Sequence, residues 1–149
     1  MYGSSIRPQA VACLQGGTDA PNLRGKVQFY QRCSSVFVRI HVFGLPEENP
    51  AGFFALHIHE GCSCGGEAFA ESGGHYNPAG LLHPRHAGDL PPLLSCGGEA
   101  YLEVKTNRFS VRDVLWKTVV IHSGPEDFHT QPAGNAGTKI ACGVIQPVS

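Results

Sequence analysis

The histidines of this sequence lie where they could bind metal ions. His57 and His59 are two positions apart in a stretch whose residues alternate in character. Successive side chains of a strand point to opposite faces, so the two imidazoles would share one face and Leu56 and Ile58 the other. Imidazoles spaced about 6–7 Å apart along a strand can bind one metal ion from the same side. Ordinary polar-face histidines show the same spacing, so the pair alone leaves both interpretations open.

Further candidate ligands follow downstream. The full set of candidates is His57, His59, His75, His83, His86, Asp89 and His122. His83, His86 and Asp89 recur at three-residue intervals, and a fourth ligand would complete a tetrahedral set of three nitrogens and one oxygen. Such a closed set suits a structural zinc.

The remaining strand histidines suit a different metal. His57, His59 and His122, joined by one more imidazole, would make a four-nitrogen set, which favours copper in a tetragonal arrangement. His75 is the candidate left to serve both sets, so we predict that it bridges the two metals.

Short strands must position these residues. Charged residues make up only 15% of the chain, while 19 glycines and 11 prolines favour strands joined by turns over a helical bundle. The predicted strands span residues 8–14, 25–31, 36–43, 54–60, 99–106, 117–122 and 138–145, and residues 111–115 form either a strand or a short turn of helix. Seven or eight strands predict an antiparallel sandwich or flattened barrel, in one domain over residues 1–149.

Two segments have no strand pattern. Residues 61–92 show no periodicity, and residues 123–137 form a second loop. A long irregular segment in a compact domain usually carries function. The first of these loops holds His75, His83, His86 and Asp89.

Charge and hydropathy exclude some partners. The net charge is −1 and no long basic run occurs, so nucleic-acid binding is not expected. No apolar run approaches the roughly 20 residues of a membrane span. Residues 1–9 lack a secretory signal, which predicts the cytoplasm, or the periplasm or secretion if a signal was removed. Six cysteines favour an oxidising compartment, although their number alone does not decide.

Several motifs together resemble one family. They are GFFALHIHE (52–60), GHYNP (74–78), HAGDL (86–90), VIH (120–122) and GNAGTKIACGVI (134–145). In this order the chain resembles the copper/zinc superoxide dismutases, of the bacterial type. The resemblance implies an all-β, eight-stranded antiparallel Greek-key barrel, an immunoglobulin-like sandwich with two long functional loops. It also implies an antioxidant enzyme that converts superoxide to dioxygen and hydrogen peroxide.

The resemblance also implies roles for the candidate ligands. Copper would be held by His57, His59, His75 and His122, and zinc by His75, His83, His86 and Asp89. In the family, copper cycles between two oxidation states, and the bridging histidine takes a proton when its bond to copper breaks. His75 is therefore expected to be catalytic.

Lys139 is the second residue expected to be catalytic. The family usually has an arginine here, two positions after the Asn-Ala-Gly run, and this cation draws in the anionic substrate. Lysine keeps the charge but lacks the planar fork of arginine. We therefore predict activity that is reduced but present.

The resemblance implies two supporting features. A carboxylate in the second loop usually links a copper ligand to a zinc ligand, and Glu126 and its neighbour Asp127 are both candidates. A disulfide usually joins the first loop to the last strand. Cys142 matches the strand cysteine and Cys64 is the expected partner, with Cys62 as the competitor. We expect Cys13, Cys33 and Cys96 to be free thiols, two of them buried.

Two other functions are compatible with parts of this pattern. A non-catalytic or weakly active copper/zinc-binding protein would keep the same fold and ligands. A metal-dependent hydrolase would need a zinc with an open position beside a carboxylate base, which the bridged arrangement does not provide. Superoxide is the expected substrate, and a homodimer is one assembly that the resemblance allows.

Overall fold

The strands of this protein alternate between buried and more exposed residues, and they form a barrel. The computed structural model describes residues 6–149. The strands are β1 (Ala10–Gly16), β2 (Arg24–Arg32), β3 (Ser35–Phe43), β4 (Phe53–His59), β5 (Asp89–Leu94), β6 (Ala100–Thr106), β7 (Thr118–His122) and β8 (Lys139–Pro147). A short 3-10 segment spans Glu67–Ser72, and a single helical turn, α1, spans Val111–Val114. Residues 1–5, part of the segment predicted to lack a signal, lie outside the described residues.

All eight strands form one antiparallel sheet that curves into a nearly closed barrel. Their order is β5-β4-β7-β8-β1-β2-β3-β6. The chain leaves β3 for β4 and β6 for β7, which are not neighbours in the sheet, and these long crossings are the Greek-key connections. The predicted eight-stranded Greek-key barrel is confirmed.

The barrel interior is filled by the apolar faces of the strands. Phe29, Ile40, Leu56, Ile58 and Ile145 are almost fully buried. Both faces of β4 are buried, because the long loops cover the face that carries the histidines. Backbone hydrogen bonds bind these loops to β4, such as Ala55 N to Gly124 O at 3.0 Å and Ile58 N to Gly88 O at 2.8 Å.

The structure corrects the predicted loop 61–92 at its end. The strand β5 begins at Asp89. It contains two adjacent prolines, Pro91 and Pro92, so its sequence does not have the pattern typical of a strand. Proline cannot donate to a sheet ladder and is tolerated at a sheet edge. In agreement with this, β5 ends the sheet and pairs only with β4. The alternative left open at residues 111–115 is resolved as the helical turn α1.

The expectation that two of the free cysteines are buried is wrong. Cys13, Cys33 and Cys96 are all free and exposed. Cys13 lies on the outer face of β1, because Ala12 and Leu14 fill the inner face. Cys33 lies in the turn between β2 and β3, and Cys96 forms an isolated bridge with Glu99 in the connection between β5 and β6. No helix within residues 6–149 is long and apolar enough to cross a bilayer.

Candidate metal centre

Histidines from two neighbouring strands meet at one end of the barrel. His57 and His59 lie on β4, and His122 ends the adjacent strand β7. The His122 ring centroid is 4.9 Å from that of His57 and 5.3 Å from that of His59. The predicted sharing of one strand face by His57 and His59 is what brings both rings to His122.

The first loop brings His75 against β4. His75 forms an isolated bridge with His59, while Tyr76 N donates to Ile58 O at 2.8 Å. These backbone contacts extend the sheet by one residue pair and fix the imidazole in place. The ring centroid of His75 lies 4.0 Å from that of His57 and 4.9 Å from that of His59.

The candidate ligands form two overlapping sets. Within each set, one ligand atom per residue lies within 4.8 Å of all the others. The first set is His57, His59, His75 and His122, and the second is His57, His75, His83 and Asp89. His75 belongs to both, in agreement with the predicted bridge. His57 also reaches the second set, which the sequence did not indicate.

His86, the remaining predicted zinc ligand, borders the second set. Its Nδ1 lies 3.1 Å from His75 Nδ1 and 3.3 Å from Asp89 Oδ2. The backbone N–H of His86 donates to the same Asp89 oxygen at 3.0 Å. All seven predicted ligands are therefore brought together at one end of the barrel.

Backbone carbonyls select the tautomers of His59 and His122. His59 Nδ1 donates to Gly73 O at 2.7 Å, and His122 Nδ1 donates to Gly137 O at 3.3 Å. Both Nε2 atoms are then unprotonated in the neutral rings, and they face each other at 3.2 Å. Two opposed lone pairs at this distance repel each other, and a cation between them removes the repulsion.

Three buried ring nitrogens have no hydrogen-bond partner among the described residues. They are His57 Nδ1, His75 Nε2 and His83 Nδ1, the last of which lies 3.1 Å from Asp89 Oδ2 without forming a hydrogen bond. Leaving a buried polar atom unpaired costs about 1–3 kcal/mol, and such atoms are uncommon in proteins. Each belongs to a predicted ligand, so the residues present fit a pair of metal ions that nitrogen and carboxylate ligands would hold.

A buried carboxylate joins the two sets. Glu126 has a side chain only 1% exposed, and it accepts hydrogen bonds from His57 Nε2 at 3.1 Å and from His83 Nε2. These contacts leave the Nδ1 atom of each ring available as a ligand. Burial raises the pKa of Glu126, against the imidazoles of His83 and His75, which favour its charged form.

Asp127, the other candidate for this link, serves the loop itself. It accepts from the backbone N–H groups of His129 at 2.9 Å and Thr130 at 2.8 Å. Of the two neighbours, Glu126 therefore contacts the candidate ligands His57 and His83, whereas Asp127 contacts its own loop.

Burial keeps the strand histidines neutral. It lowers the pKa of His57 and of His59 to about 2, with the neighbouring imidazoles adding to the effect. For His122, burial lowers the pKa to about 4. Neutral imidazole is the metal-binding form, so these groups bind a cation without first losing a proton at neutral pH.

Lys139 lies at the mouth of a cavity that reaches the histidines. The cavity, of about 620 Å³, is lined in part by His59, His75, His122 and Lys139. Lys139 Nζ donates to Ser72 Oγ and to Gly73 O, both at 2.8 Å. A slightly larger hollow, of about 670 Å³, lies over β1, β2 and β3, and its described lining holds none of the seven ligands.

The disulfide joins Cys64 to Cys142, with 5.8 Å between the Cα atoms. It ties the first loop to the last strand, as expected, and the competitor Cys62 is free and exposed.

Three contributors to the site escaped the sequence prediction: Ser72 and the carbonyls of Gly73 and Gly137. Backbone carbonyls have no sequence signature, and Ser72 gave no periodic signal within its loop.

Comparison with known proteins agrees with this geometry. The family model of copper/zinc superoxide dismutase (SODC) matches residues 23–145. The chain belongs to this family.

Named relatives extend the match over most of the chain. Cu-Zn superoxide dismutase 2 of Aquifex aeolicus is 38% identical over 137 residues, which cover 82% of this chain and 78% of that protein. Cu-Zn superoxide dismutase of Caulobacter vibrioides is 32% identical over 154 residues, covering 92% and 84%. A crystal structure of a double mutant of a SOD-like protein from Bacillus subtilis superposes with a TM-score of 0.79, at 26% identity, covering 91% of this chain and 96% of that one.

Family membership confirms the predicted resemblance and favours the enzyme over a non-catalytic relative. Superoxide dismutation is the activity for which the family is named, and copper and zinc are its metals.

Proposed function

We propose that this chain disproportionates superoxide to dioxygen and hydrogen peroxide, using two metals held by the residues described above. Copper would be held by His57, His59, His75 and His122, and zinc by His75, His83, His86 and Asp89. The observation that carries this proposal is the position of His75. Its Nε2 is buried with no hydrogen-bond partner among residues 6–149, and its Nδ1, on the opposite side of the ring, lies 2.9 Å from Asp89 Oδ1.

The bound metals divide the chemistry between them, with copper supplying one-electron redox exchange and zinc supplying a redox-inert cation. His75 supplies the proton. Reduction of superoxide to hydrogen peroxide consumes two protons, and His75 Nε2 is a ring nitrogen able to hold one inside the site. The opposite nitrogen, Nδ1, lies beside Asp89, and both would be held as ligands of the zinc, so the ring would keep its orientation as its protonation changes.

Lys139 binds and attracts the substrate. Superoxide is a small anion, and a fixed cation at a cavity mouth raises the rate of its encounter with the site. Ser72 and Gly73 hold the ammonium group in place. Because lysine offers no planar fork, we expect the rate to be lower than with arginine at this position.

The test is direct optical measurement of superoxide decay, on protein loaded with copper and zinc and with both metals quantified in the same sample. We expect fast catalytic decay with one copper and one zinc per chain. His75→Ala should abolish it, and His41→Ala, which alters an exposed histidine on β3, should not. Decay no faster than buffer with both metals bound would refute the proposal and leave a metal-binding protein.

The proposal extends to partners and compartment. We infer no nucleic-acid or membrane partner, and a homodimer as the assembly to test by sedimentation at several protein concentrations. The Cys64–Cys142 disulfide favours an oxidising compartment, such as the periplasm or the exterior of the cell. Thiol trapping in separated cell fractions distinguishes these compartments.

A further inference from the structure

The segment between two of the proposed zinc ligands is short and irregular. Only Pro84 and Arg85 separate His83 from His86, and no helix or strand includes them. Fixing the backbone of an irregular segment costs conformational entropy, and the free-energy cost is about 1–2 kcal/mol per residue. Something outside the segment must hold its backbone.

One holder is the side-chain amide of Gln131, from the second loop. Its Oε1 accepts from the backbone N–H of His83 at 2.8 Å, and its Nε2 donates to the backbone carbonyl of His83 at 2.9 Å. The same Nε2 also donates to His129 O at 2.9 Å. A single amide therefore satisfies both backbone groups of His83, much as a neighbouring strand would.

A second side chain that holds this backbone is that of Arg108, which follows β6. Its Nη1 donates to Pro84 O at 2.8 Å and to His86 O at 3.2 Å. Its own backbone N–H is fixed by Thr106 Oγ1 at 3.1 Å. The guanidinium is rigid and always charged, so it can donate hydrogen bonds to two carbonyls at once.

We propose that Arg108 and Gln131 are positioning residues for the zinc-binding half of the site. They fix the backbone from His83 to His86, so that both rings converge on Asp89. The inference rests on the proposed assignment of these ligands to zinc. Neither residue would touch the metal, and each would act through the ligand backbone.

The contacts predict an effect confined to one metal. The copper-side rings of His59 and His122 are oriented by the carbonyls of Gly73 and Gly137, which neither Arg108 nor Gln131 contacts in the described hydrogen bonds. Loss of either holder should therefore weaken zinc binding and spare the copper set.

The experiment compares Arg108→Gln and Gln131→Glu with the parent protein. Gln131→Glu keeps an acceptor for the His83 N–H but removes both donated hydrogen bonds. Arg112→Gln, on the exposed face of α1, and Gln146→Glu, near the end of β8, are the matched controls for the charge changes. Zinc affinity is measured by chelator competition, and cobalt(II) is then placed in the zinc position so that its visible absorption reports the ligand geometry.

We expect zinc affinity to fall about 10- to 100-fold in both variants. The cobalt absorption should change in intensity, while copper affinity and the unfolding midpoint of the metal-free protein stay close to those of the controls. Arg108→Lys, which keeps a charged donor, should recover part of the lost affinity.

The outcomes separate this inference from the proposed function. If the parent protein binds no zinc at this set, the proposed function fails, and the inference fails with it. If the parent binds zinc and both variants bind it as tightly, with unchanged cobalt spectra, the inference alone is overturned. Equal losses of copper and zinc with a lowered unfolding midpoint would indicate a general structural role and would also overturn it.

Discussion

The ammonium group of Lys139 donates a hydrogen bond to the hydroxyl of Ser72, with 2.8 Å between Nζ and Oγ. Ser72 is fully buried, and its hydroxyl proton is directed to Phe69 O at 2.8 Å. The hydroxyl oxygen is thereby left to accept from the lysine. This hydrogen bond holds the flexible side chain of Lys139 at the cavity mouth, where its positive charge would face an approaching anion.

Removal of this charge should slow catalysis. We expect Lys139→Gln to lower the rate of superoxide decay by about 10-fold or more, because attraction of the anion is lost. Lys139→Arg should raise the rate above that of the parent. Measurement at several ionic strengths checks the cause: the rate of the parent should fall with added salt, and that of Lys139→Gln should change less. Equal salt dependence in both proteins would contradict an electrostatic role.

Loss of the serine hydroxyl should have a smaller effect. In Ser72→Ala, Lys139 keeps its hydrogen bond to Gly73 O but loses one anchor, worth about 1 kcal/mol. We expect the decay rate to drop about twofold to fivefold, with the salt dependence of the parent retained. An unchanged rate would show that Gly73 alone is sufficient to place the lysine.

Glu126 and Asp127 should differ in their effect on metal binding. Glu126→Gln removes the anion that accepts from both His57 and His83, so the affinities for copper and zinc should each fall about 10- to 100-fold. Asp127→Asn, its neighbour in sequence, should change them little because the contacts of Asp127 among the described residues are with Thr130, His129 and the loop backbone, and none is with a candidate ligand. Chelator competition with both metals quantified in each variant provides the measurement.

Loss of the disulfide should destabilise the metal-free protein. The bridge joins residues 78 positions apart, and the loop-entropy model gives a stabilisation of about 4–5 kcal/mol. We expect the double variant Cys64→Ser with Cys142→Ser to lose about this much free energy of unfolding in urea titrations. Cys62→Ser, which removes a free thiol two residues away, is the control and should unfold like the parent.

Acid should destabilise the metal-free protein through the buried histidines. Burial lowers the pKa of His57 to about 2 and of His122 to about 4, whereas both return to about 6.5 on unfolding. Their contribution is fully present above pH 6.5 and is lost as the pH falls toward the folded-state values. Each histidine that takes up a proton on unfolding costs about 1.4 kcal/mol per pH unit in this range.

Urea unfolding at pH 7.5, 6.0 and 5.0 measures this effect. The free energy of unfolding should be highest at pH 7.5 and should fall progressively. A constant value across these three pH values would mean that the histidines are already exposed to solvent in the metal-free protein.

Most of the barrel could be predicted because its strands carry local information. In β3, Val36, Val38 and Ile40 alternate with partly exposed residues, so two-residue periodicity alone located the strand. The same alternation in β4 placed His57 and His59 on one face. Such patterns depend only on which side of the sheet is covered.

Features that depend on edges and outer faces were missed. The prolines of β5 obscure its strand pattern in the sequence. They are tolerated in this strand because it lies at the edge of the sheet. Cys13 was not recognised as exposed, because the small residues Ala10 and Ala12 are what face the core there. A small apolar residue and a cysteine give similar hydropathy signals, so the pattern does not distinguish the inner face from the outer one.

The candidate ligands could be predicted from residue type, but most of the groups that support them could not. Glu126 reaches histidines 69 and 43 positions away, and Gln131 reaches His83 across 48. Contacts over such separations come from the way the two loops pack on the barrel. The family resemblance left two neighbouring residues, Glu126 and Asp127, as candidates for the linking carboxylate. Only the folded loop distinguishes their positions.

The carbonyl of Gly73 accepts hydrogen bonds from both His59 Nδ1 and Lys139 Nζ. One oxygen atom thus sets the tautomer of an imidazole and also the location of the charge that we propose attracts the substrate. An engineer who transplanted only the seven ligands onto another barrel would carry over neither property. A transplanted site would therefore have to include the loop backbone. We expect a redesign of that loop to change metal binding and attraction of the anion together.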